Sequence, residues 1–79
     1  FSGNGIKNGQ IMTSSFEEAY TQKLALERST ETYLLIDSSK IGKEDFTSIC
    51  PLADITAVIT DQMSENAQEE LEVYTKIIS

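Results

Sequence analysis

The chain has no histidine and only one cysteine, Cys50, among its 79 residues. Without an imidazole base, a Cys–His nucleophile is excluded within these residues. A disulfide needs a second cysteine, and a zinc site lacks the usual thiolate and imidazole ligands, so we expect no metal and no cofactor. A lone thiol suits a reducing compartment. We therefore expect Cys50 to pack as a small buried hydrophobe in a cytoplasmic protein.

Basic residues are also scarce. Six lysines and arginines stand against thirteen aspartates and glutamates, which gives a net charge of −7. A surface of this sign repels phosphodiester backbones, so we expect no DNA binding by these residues themselves. No apolar run approaches the roughly 20 residues needed to span a bilayer, and no signal-peptide pattern opens the sequence. The composition predicts a soluble domain, or part of one, that does not bind membranes.

The first half of the chain predicts a loop and then a helix. Residues 1–13 are rich in glycine and asparagine, which is typical of a turn-rich loop, although a flexible N-terminal tail is the alternative. Two serines follow, each three residues ahead of a glutamate, as in the helix-capping box. The pattern predicts a helix over residues 14–29. Its predicted inward stripe is Phe16, Tyr20 and Leu24.

The second half alternates apolar runs with polar segments. The runs at residues 33–36, 56–60 and 76–78 do not alternate with polar residues, which predicts parallel strands covered on both faces. Between them we expect an extended segment over residues 45–50, which Pro51 ends, and a single helical turn over residues 52–55. We also expect a helix over residues 65–74 that is capped by Ser64. The residues expected on its inward face are Ala67, Leu71 and Tyr74. The order predicts an α/β fold with part of a doubly wound parallel sheet.

Ligands of open parallel sheets bind beyond the carboxyl ends of the strands. The loops predicted at that edge are residues 3–5, 37–43 and 61–64, and the middle one carries the most chemistry. Hydroxyls, backbone amides and an ammonium group suit a phosphate, and Asp37 could accept hydrogen bonds from sugar hydroxyls or hold the lysine. The residues concerned are Asp37, Ser38, Ser39 and Lys40. The alternative is an ordinary solvated turn, in which aspartate and serine are common.

The stretch Tyr33 to Asp61 resembles the sensor domain of DeoR-family transcriptional regulators. The family pattern is an apolar strand, D-S-S-K-hydrophobic-G, a short strand, P-L, and an apolar strand ending in T-D. The matching residues are Asp37-Ser38-Ser39-Lys40-Ile41-Gly42, Pro51-Leu52 and Ile59-Thr60-Asp61. The opening FSGNGIKNGQIMT is similar to the family's segment before the helix, so the resemblance covers nearly the whole chain.

The resemblance implies a fold like that of ribose-5-phosphate isomerase. It also implies that residues 1–79 are the C-terminal part of an effector-sensing domain, without the N-terminal winged helix-turn-helix or the first part of the sensor. Lys40 and Asp37 match positions that face the ligand. Gln22, beside Lys23, falls where the isomerases carry a catalytic glutamate, and Asn4 replaces a carboxylate. An amide cannot abstract a proton, so the resemblance implies a binding site without catalysis.

We therefore expect a sensor that binds a phosphorylated sugar through Asn4, Gly5, Gln22, Lys23 and the loop residues Asp37, Ser38 and Lys40. The resemblance is strongest to regulators of sugar phosphotransferase operons, with tagatose 6-phosphate or fructose 1-phosphate as candidate effectors. It implies a homo-oligomer, acting as a repressor or an activator, that contacts DNA only through the absent domain. The alternatives are a fragment of a sugar-phosphate isomerase and a structural oligomerisation module whose two helices form the interfaces.

Overall fold

The structure, a computed structural model, describes residues 1–78. Strands and helices follow one another along the chain as β1 (Gly5–Lys7), β2 (Gln10–Thr13), α1 (Phe16–Glu27), β3 (Tyr33–Leu35), β4 (Thr47–Pro51), β5 (Ala57–Ile59), α2 (Glu65–Glu72) and β6 (Lys76–Ile78). Single 3-10 turns lie at Ser38–Lys40 and Leu52–Asp54. The predicted α/β class is confirmed, and so is the helical turn after Pro51. The helix bounds lie within two residues of the prediction at each end.

The opening segment forms a β-hairpin. Strands β1 and β2 pair in antiparallel register, and β2 also pairs with β4, which makes a three-stranded sheet in the order β1-β2-β4. Asn8 and Gly9 connect the hairpin with φ values of 53° and 75°. Two positive φ values are the signature of a type I′ turn, which Asn-Gly adopts at little cost. The expectation of a loop or tail over residues 1–13 was therefore wrong.

The other three strands form the predicted parallel sheet, in the order β3-β5-β6. Leu34 and Val58 lie side by side in register and are fully buried. Their neighbours Tyr33 and Leu35 are 37% and 56% exposed, so β3 is covered on one face only within residues 1–78. The expectation of strands covered on both faces was therefore wrong for this part of the chain. Residues 1–78 thus form two three-stranded sheets, one parallel and one antiparallel.

Helix α1 begins as predicted but turns a different face inward. The Ser15 hydroxyl caps it by accepting the backbone N–H of Glu18 at 3.2 Å. The helix packs against β4 and β2, and Ala19 is its buried residue. The small Ala19 side chain permits close approach to the sheet, whereas the predicted stripe of Phe16, Tyr20 and Leu24 is 67%, 58% and 43% exposed. The prediction of an inward stripe was wrong because periodicity identifies an apolar face without identifying its partner.

A single core joins both sheets and α2. Its fully buried members include Ile11, Leu34, Leu52 and Val58, and Leu71 of α2 is 4% exposed. The Ser64 hydroxyl caps α2 by accepting the N–H of Ala67, as predicted. The inward face of α2 was predicted only in part. Ala67 is half-buried, and Tyr74 lies beyond the helix, 42% exposed.

Cys50 lies in this core on β4, as expected. Burial raises the pKa of its thiol to about 11, and the nearby Asp54 carboxylate adds to the effect. The thiol is therefore protonated at neutral pH, which fits a packing role rather than a nucleophilic one. Within residues 1–78, none of the helices has the length and hydrophobicity required to cross a membrane.

Candidate functional site

The DSSK segment forms a capped turn directly after the first parallel strand. β3 ends at Leu35, and Ile36 continues the ladder by donating its N–H to the Ile59 carbonyl at 3.1 Å. Asp37 then caps the 3-10 turn Ser38–Lys40, with its Oδ1 accepting the Ser39 N–H at 3.0 Å. The Asp37 and Lys40 side chains are exposed on this turn. The sequence prediction that this loop lies at the carboxyl ends of the strands is confirmed.

A carboxylate from the neighbouring strand holds the turn in place. Asp61 follows β5, and its Oδ1 accepts the Ser38 backbone N–H at 2.6 Å while its Oδ2 accepts the Ser38 hydroxyl at 3.1 Å. The Ser38 backbone donor has the largest effect in holding the pKa of Asp61 below its ordinary value, and the Ser38 hydroxyl adds to it. The ends of two adjacent parallel strands are thus tied together by one side chain.

An open depression of about 600 Å³ lies at these strand ends. Its lining combines apolar and polar residues: Leu35, Ile36, Asp37, Ile59, Thr60 and Asp61. The carboxylate and hydroxyl oxygens among them can accept hydrogen bonds from a polyol, while the exposed Lys40 ammonium on the turn that begins after Asp37 can pair with an anion. The combination has the chemistry that a phosphorylated sugar requires.

The glycine segment reaches the same edge from the other side of β3. Ser2 pairs with Leu35 in a parallel bridge, which places Asn4 and Gly5 just past the end of that short pairing. Gly5 is buried against the backbone of Lys43, and a Cβ there would overlap the Lys43 carbonyl. Gly5 therefore packs on the end of the DSSK loop. The exposed Asn4 donates its side-chain amide to the Ser14 hydroxyl at 3.3 Å.

Gln22 and Lys23 lie elsewhere. Gln22 is half-buried in a shallow depression along α1, shared with Ser15 and Thr21. Lys23 is exposed beside Cys50, in a depression whose lining also includes Asp54. Within residues 1–78, neither residue lines the depression at the ends of the parallel strands. Of the predicted site residues, Asp37 alone is among those that line the depression. Ser38 and Lys40 lie on the same 3-10 turn, and Gly5 packs against Lys43 at the end of the loop. The two α1 residues lie apart from this turn.

Asp61 is the residue of this site that the sequence analysis left out of its candidate set. The signal was present, because Ile59-Thr60-Asp61 belongs to the resemblance and residues 61–64 were expected at the ligand edge. What was missing was the pairing of β3 with β5, which brings the end of one strand to the end of the other.

The sequence itself decides the family. The family model described as "DeoR C terminal sensor domain" matches residues 1–62, which include the hairpin, the DSSK turn and Asp61. The chain belongs to this DeoR sensor-domain family. The resemblance noted from the motifs is thereby confirmed.

Curated proteins similar to this DeoR sensor-domain chain are named lactose phosphotransferase system repressors. The one from Streptococcus mutans is 61% identical over 79 residues, which is 100% of this chain and 32% of the relative. Relatives from Staphylococcus epidermidis and Staphylococcus aureus are 57% and 50% identical, the latter over 78 residues that make up 31% of its length. The chain thus spans about a third of the curated relatives that it matches.

Proposed function

We propose that the chain is the effector-binding part of a transcriptional repressor of sugar metabolism, and that the effector is a phosphorylated sugar. Membership of the sensor-domain family and the repressor names of the relatives support this function. The structural observation that carries it is the link between Asp61 and Ser38, which fixes a turn with hydroxyls, amides and a lysine at the ends of two parallel strands. That edge is where open parallel sheets bind ligands.

Each group of the site has a role that follows from its chemistry. Lys40 pairs with the phosphate as a mobile cation. Asp37, whose Oδ1 already accepts one backbone N–H, accepts sugar hydroxyls with its remaining capacity. The Ser38 backbone N–H is not available to a ligand, because it donates to the Asp61 carboxylate. The role of Ser38 is therefore to fix the turn. Asn4 and Gly5 lie near the end of the DSSK loop, where Gly5 packs against Lys43, and Gln22 and Lys23 lie on α1. None of these four residues lines the strand-end depression, so they contact the effector only if it extends beyond the depression or α1 moves.

The rest of the proposed mechanism lies outside these residues. We propose a longer polypeptide in which an N-terminal winged helix-turn-helix binds DNA and the sensor has the doubly wound fold of ribose-5-phosphate isomerase. The relatives, about three times as long as this chain, support that view. Effector binding then shifts the population of domain arrangements in a cytoplasmic homo-oligomer and so changes its affinity for DNA. The word "lactose" in the relatives' names favours a hexose phosphate such as tagatose 6-phosphate as the effector.

The regulator is favoured over an isomerase fragment. The position that corresponds to the isomerase glutamate is Gln22, whose amide has no titratable oxygen. The curated relatives at 50–61% identity carry repressor names rather than enzyme names. If the full-length protein catalysed exchange of the carbon-2 proton of a sugar phosphate with solvent, the isomerase would be favoured instead.

The test is a thermal-shift panel on the full-length protein, with tagatose 6-phosphate, fructose 1-phosphate, ribose 5-phosphate and the same sugars without phosphate. A ligand at about 100 times its Kd adds roughly 2.7 kcal/mol of stability. We expect one phosphosugar to raise Tm and its unphosphorylated counterpart to have little effect. A panel without any shift would contradict the proposal.

Lys40→Ala then tests the site itself. A charge-assisted hydrogen bond contributes about 1.5–3 kcal/mol, so we expect the affinity for the phosphosugar to fall about 10-fold or more. The matched control is Lys76→Ala, which removes an exposed lysine from the amino end of β6, away from the strand-end depression. Equal affinities for Lys40→Ala and the unmodified protein would show that Lys40 does not bind the effector and would contradict a site at this turn.

A further inference from the structure

Helix α1 presents a row of apolar side chains that is exposed within residues 1–78. Phe16, Tyr20 and Leu24 follow one another at four-residue spacing, so they lie on one side of the helix. Their side chains are 67%, 58% and 43% exposed. A different side of the helix faces the sheet, because Ala19 is its buried residue. We call the exposed row the α1 stripe.

A second aromatic ring extends the α1 stripe. Phe46, which directly precedes β4, is 67% exposed and lies edge-on against Phe16, with 4.8 Å between the ring centroids. The four side chains together expose on the order of 400–500 Å², since a large side chain of this kind has about 150–250 Å². Single exposed apolar residues are normal, whereas a contiguous patch of this size is often an interaction surface.

The charges beside the α1 stripe are arranged symmetrically about Tyr20. Glu17 lies three residues before Tyr20 and Lys23 three residues after it, and both side chains are exposed. At about 100° per residue, they lie roughly 60° to opposite sides of Tyr20. A twofold axis through Tyr20, perpendicular to the helix, reverses both the chain direction and the side, so Glu17 of one copy meets Lys23 of the other. The same operation sets Phe16 opposite Leu24.

This symmetry identifies the occupant that the α1 stripe fits. A twofold interface uses the same patch on both molecules, so the patch must be complementary to itself. An unrelated segment has no such requirement. The net charge of −7 opposes association of two copies. Charges more than about 8 Å apart are largely screened at physiological ionic strength, however, whereas Glu17 and Lys23 would be in direct contact.

We propose that α1 packs against α1 of a second copy in antiparallel orientation, with Tyr20 on the twofold axis. The exposed apolar side chains provide about half of the roughly 800 Å² that a standard interface buries on each partner. The pairs of Glu17 with Lys23 lie on both flanks and fix the register. The inference names the interface of the homo-oligomer proposed above, and it rests on the proposed function in that respect only.

Disulfide cross-linking of the full-length protein without any ligand tests this arrangement. Tyr20→Cys places two thiols at the twofold axis, where helices packed about 8–10 Å apart bring the Cα atoms within the roughly 4.4–6.8 Å that a disulfide needs. We expect oxidation by oxygen with copper phenanthroline to give a species of twice the mass on a non-reducing gel. The native Cys50 is buried and should contribute little background. The matched control is Ala25→Cys, which is exposed on α1 about 140° around the helix from Tyr20 and should stay unlinked.

Charge reversal in the Tyr20→Cys protein tests the register. Glu17→Lys alone, or Lys23→Glu alone, sets like charges against each other on both flanks of the interface. We expect each reversal to slow the cross-linking about 5-fold or more, because attraction is replaced by repulsion at two places. The combination of both reversals sets opposite charges together again, so the rate should return close to that of Tyr20→Cys.

Each other result overturns the inference. Equal cross-linking of Tyr20→Cys and Ala25→Cys, or none at Tyr20, means that the α1 stripe does not face a second copy. A disulfide from position 20 to another cysteine of the same chain, identified by mass spectrometry, means that another segment covers the stripe. A combined reversal that fails to restore the rate means that the helices do not meet in this register.

Because the assay uses no ligand, its outcome is independent of the thermal-shift panel. A linked dimer together with a silent panel would retain the α1 interface and remove the phosphosugar. A thermal shift without a linked dimer would retain the effector site and remove the interface.

Discussion

The two sheets of this protein have three strands each, but one is antiparallel and the other is parallel. The antiparallel sheet β1-β2-β4 is built around a local hairpin and is covered by α1. The parallel sheet β3-β5-β6 joins strands that are separated by loops and by α2, and it presents the strand-end depression and the exposed side chains of Tyr33 and Leu35. Local pairing thus supplies the scaffold, while the non-local pairing of strand ends supplies the candidate site. Residues that are far apart in sequence are brought together at those strand ends.

The largest expected effect tests whether the parallel sheet depends on its inner face. Leu34→Ala removes a fully buried side chain from β3, and such truncations cost about 2–5 kcal/mol through lost transfer free energy and the cavity left behind. Leu24→Ala on α1 is the matched control, because that leucine is 43% exposed and should lose clearly less. Urea unfolding of the full-length protein measures both. Similar losses would mean that the α1 stripe is as well packed as the core of the parallel sheet.

A smaller effect is expected at the turn of the hairpin that organises the antiparallel sheet. Gly9→Ala places a Cβ on a residue with φ of 75°, 2.9 Å from two carbons of the Tyr74 ring. Left-handed backbone costs a non-glycine residue about 1–2 kcal/mol, and displacing the ring adds to that. Gly42→Ala separates the two causes, because its φ is 87° but a Cβ there meets nothing within 4 Å.

We therefore expect Gly9→Ala to lower the free energy of unfolding by more than Gly42→Ala does, in the same urea measurement. If the two variants were equally stable, the contact between the hairpin turn and Tyr74 would contribute nothing. If neither lost stability, the type I′ turn itself would be in question.

The parallel sheet was the more predictable of the two. Continuous apolar runs at residues 33–36 and 56–60 indicate buried strands with little ambiguity, and the strands are there. The hairpin was missed although Asn8-Gly9 is a strong turn signal, because the glycines and asparagines were interpreted as loop composition rather than as a turn between Ile6 and Ile11. Composition averages over a segment, whereas a turn is decided by two residues and their φ angles.

The site was predictable as a loop but not as a geometry. The residue types of Asp37 to Lys40 suit an anion and a polyol but equally an ordinary solvated turn. Their place at the strand ends is confirmed. The partner Asp61 could not be assigned from sequence, because its role depends on which strand neighbours β3. Gln22 was assigned by counting along the chain, and the structure places it on α1, outside the strand-end depression. Spacing along a chain does not measure distance across a sheet.

The smallest expected effect concerns the link between the two parallel strand ends. Asp61→Asn keeps the shape of the side chain but replaces one acceptor oxygen with a donor, so it cannot accept from both the N–H and the hydroxyl of Ser38. We expect phosphosugar affinity to fall about 3- to 10-fold, because the amide carries no charge and the hydrogen bonds that fix the turn are then no longer charge-assisted. Asp54→Asn, on the 3-10 turn after β4 and outside the strand-end depression, is the matched control.

A pH profile of stability tests whether the ionised Asp61 carboxylate contributes to the folded protein. The donors of Ser38 lower the pKa of Asp61 in the folded protein, so the ionised carboxylate stabilises the fold at pH values above its ordinary unfolded pKa near 4. That contribution is lost as the pH falls through the lower folded value. The unmodified protein should therefore lose more of its stability than Asp61→Asn does between about pH 5 and pH 2. Parallel profiles for the two proteins, together with unchanged affinity, would show that the hydrogen bonds of the 3-10 turn hold it in place. The link from Asp61 to Ser38 would then make no contribution to the site.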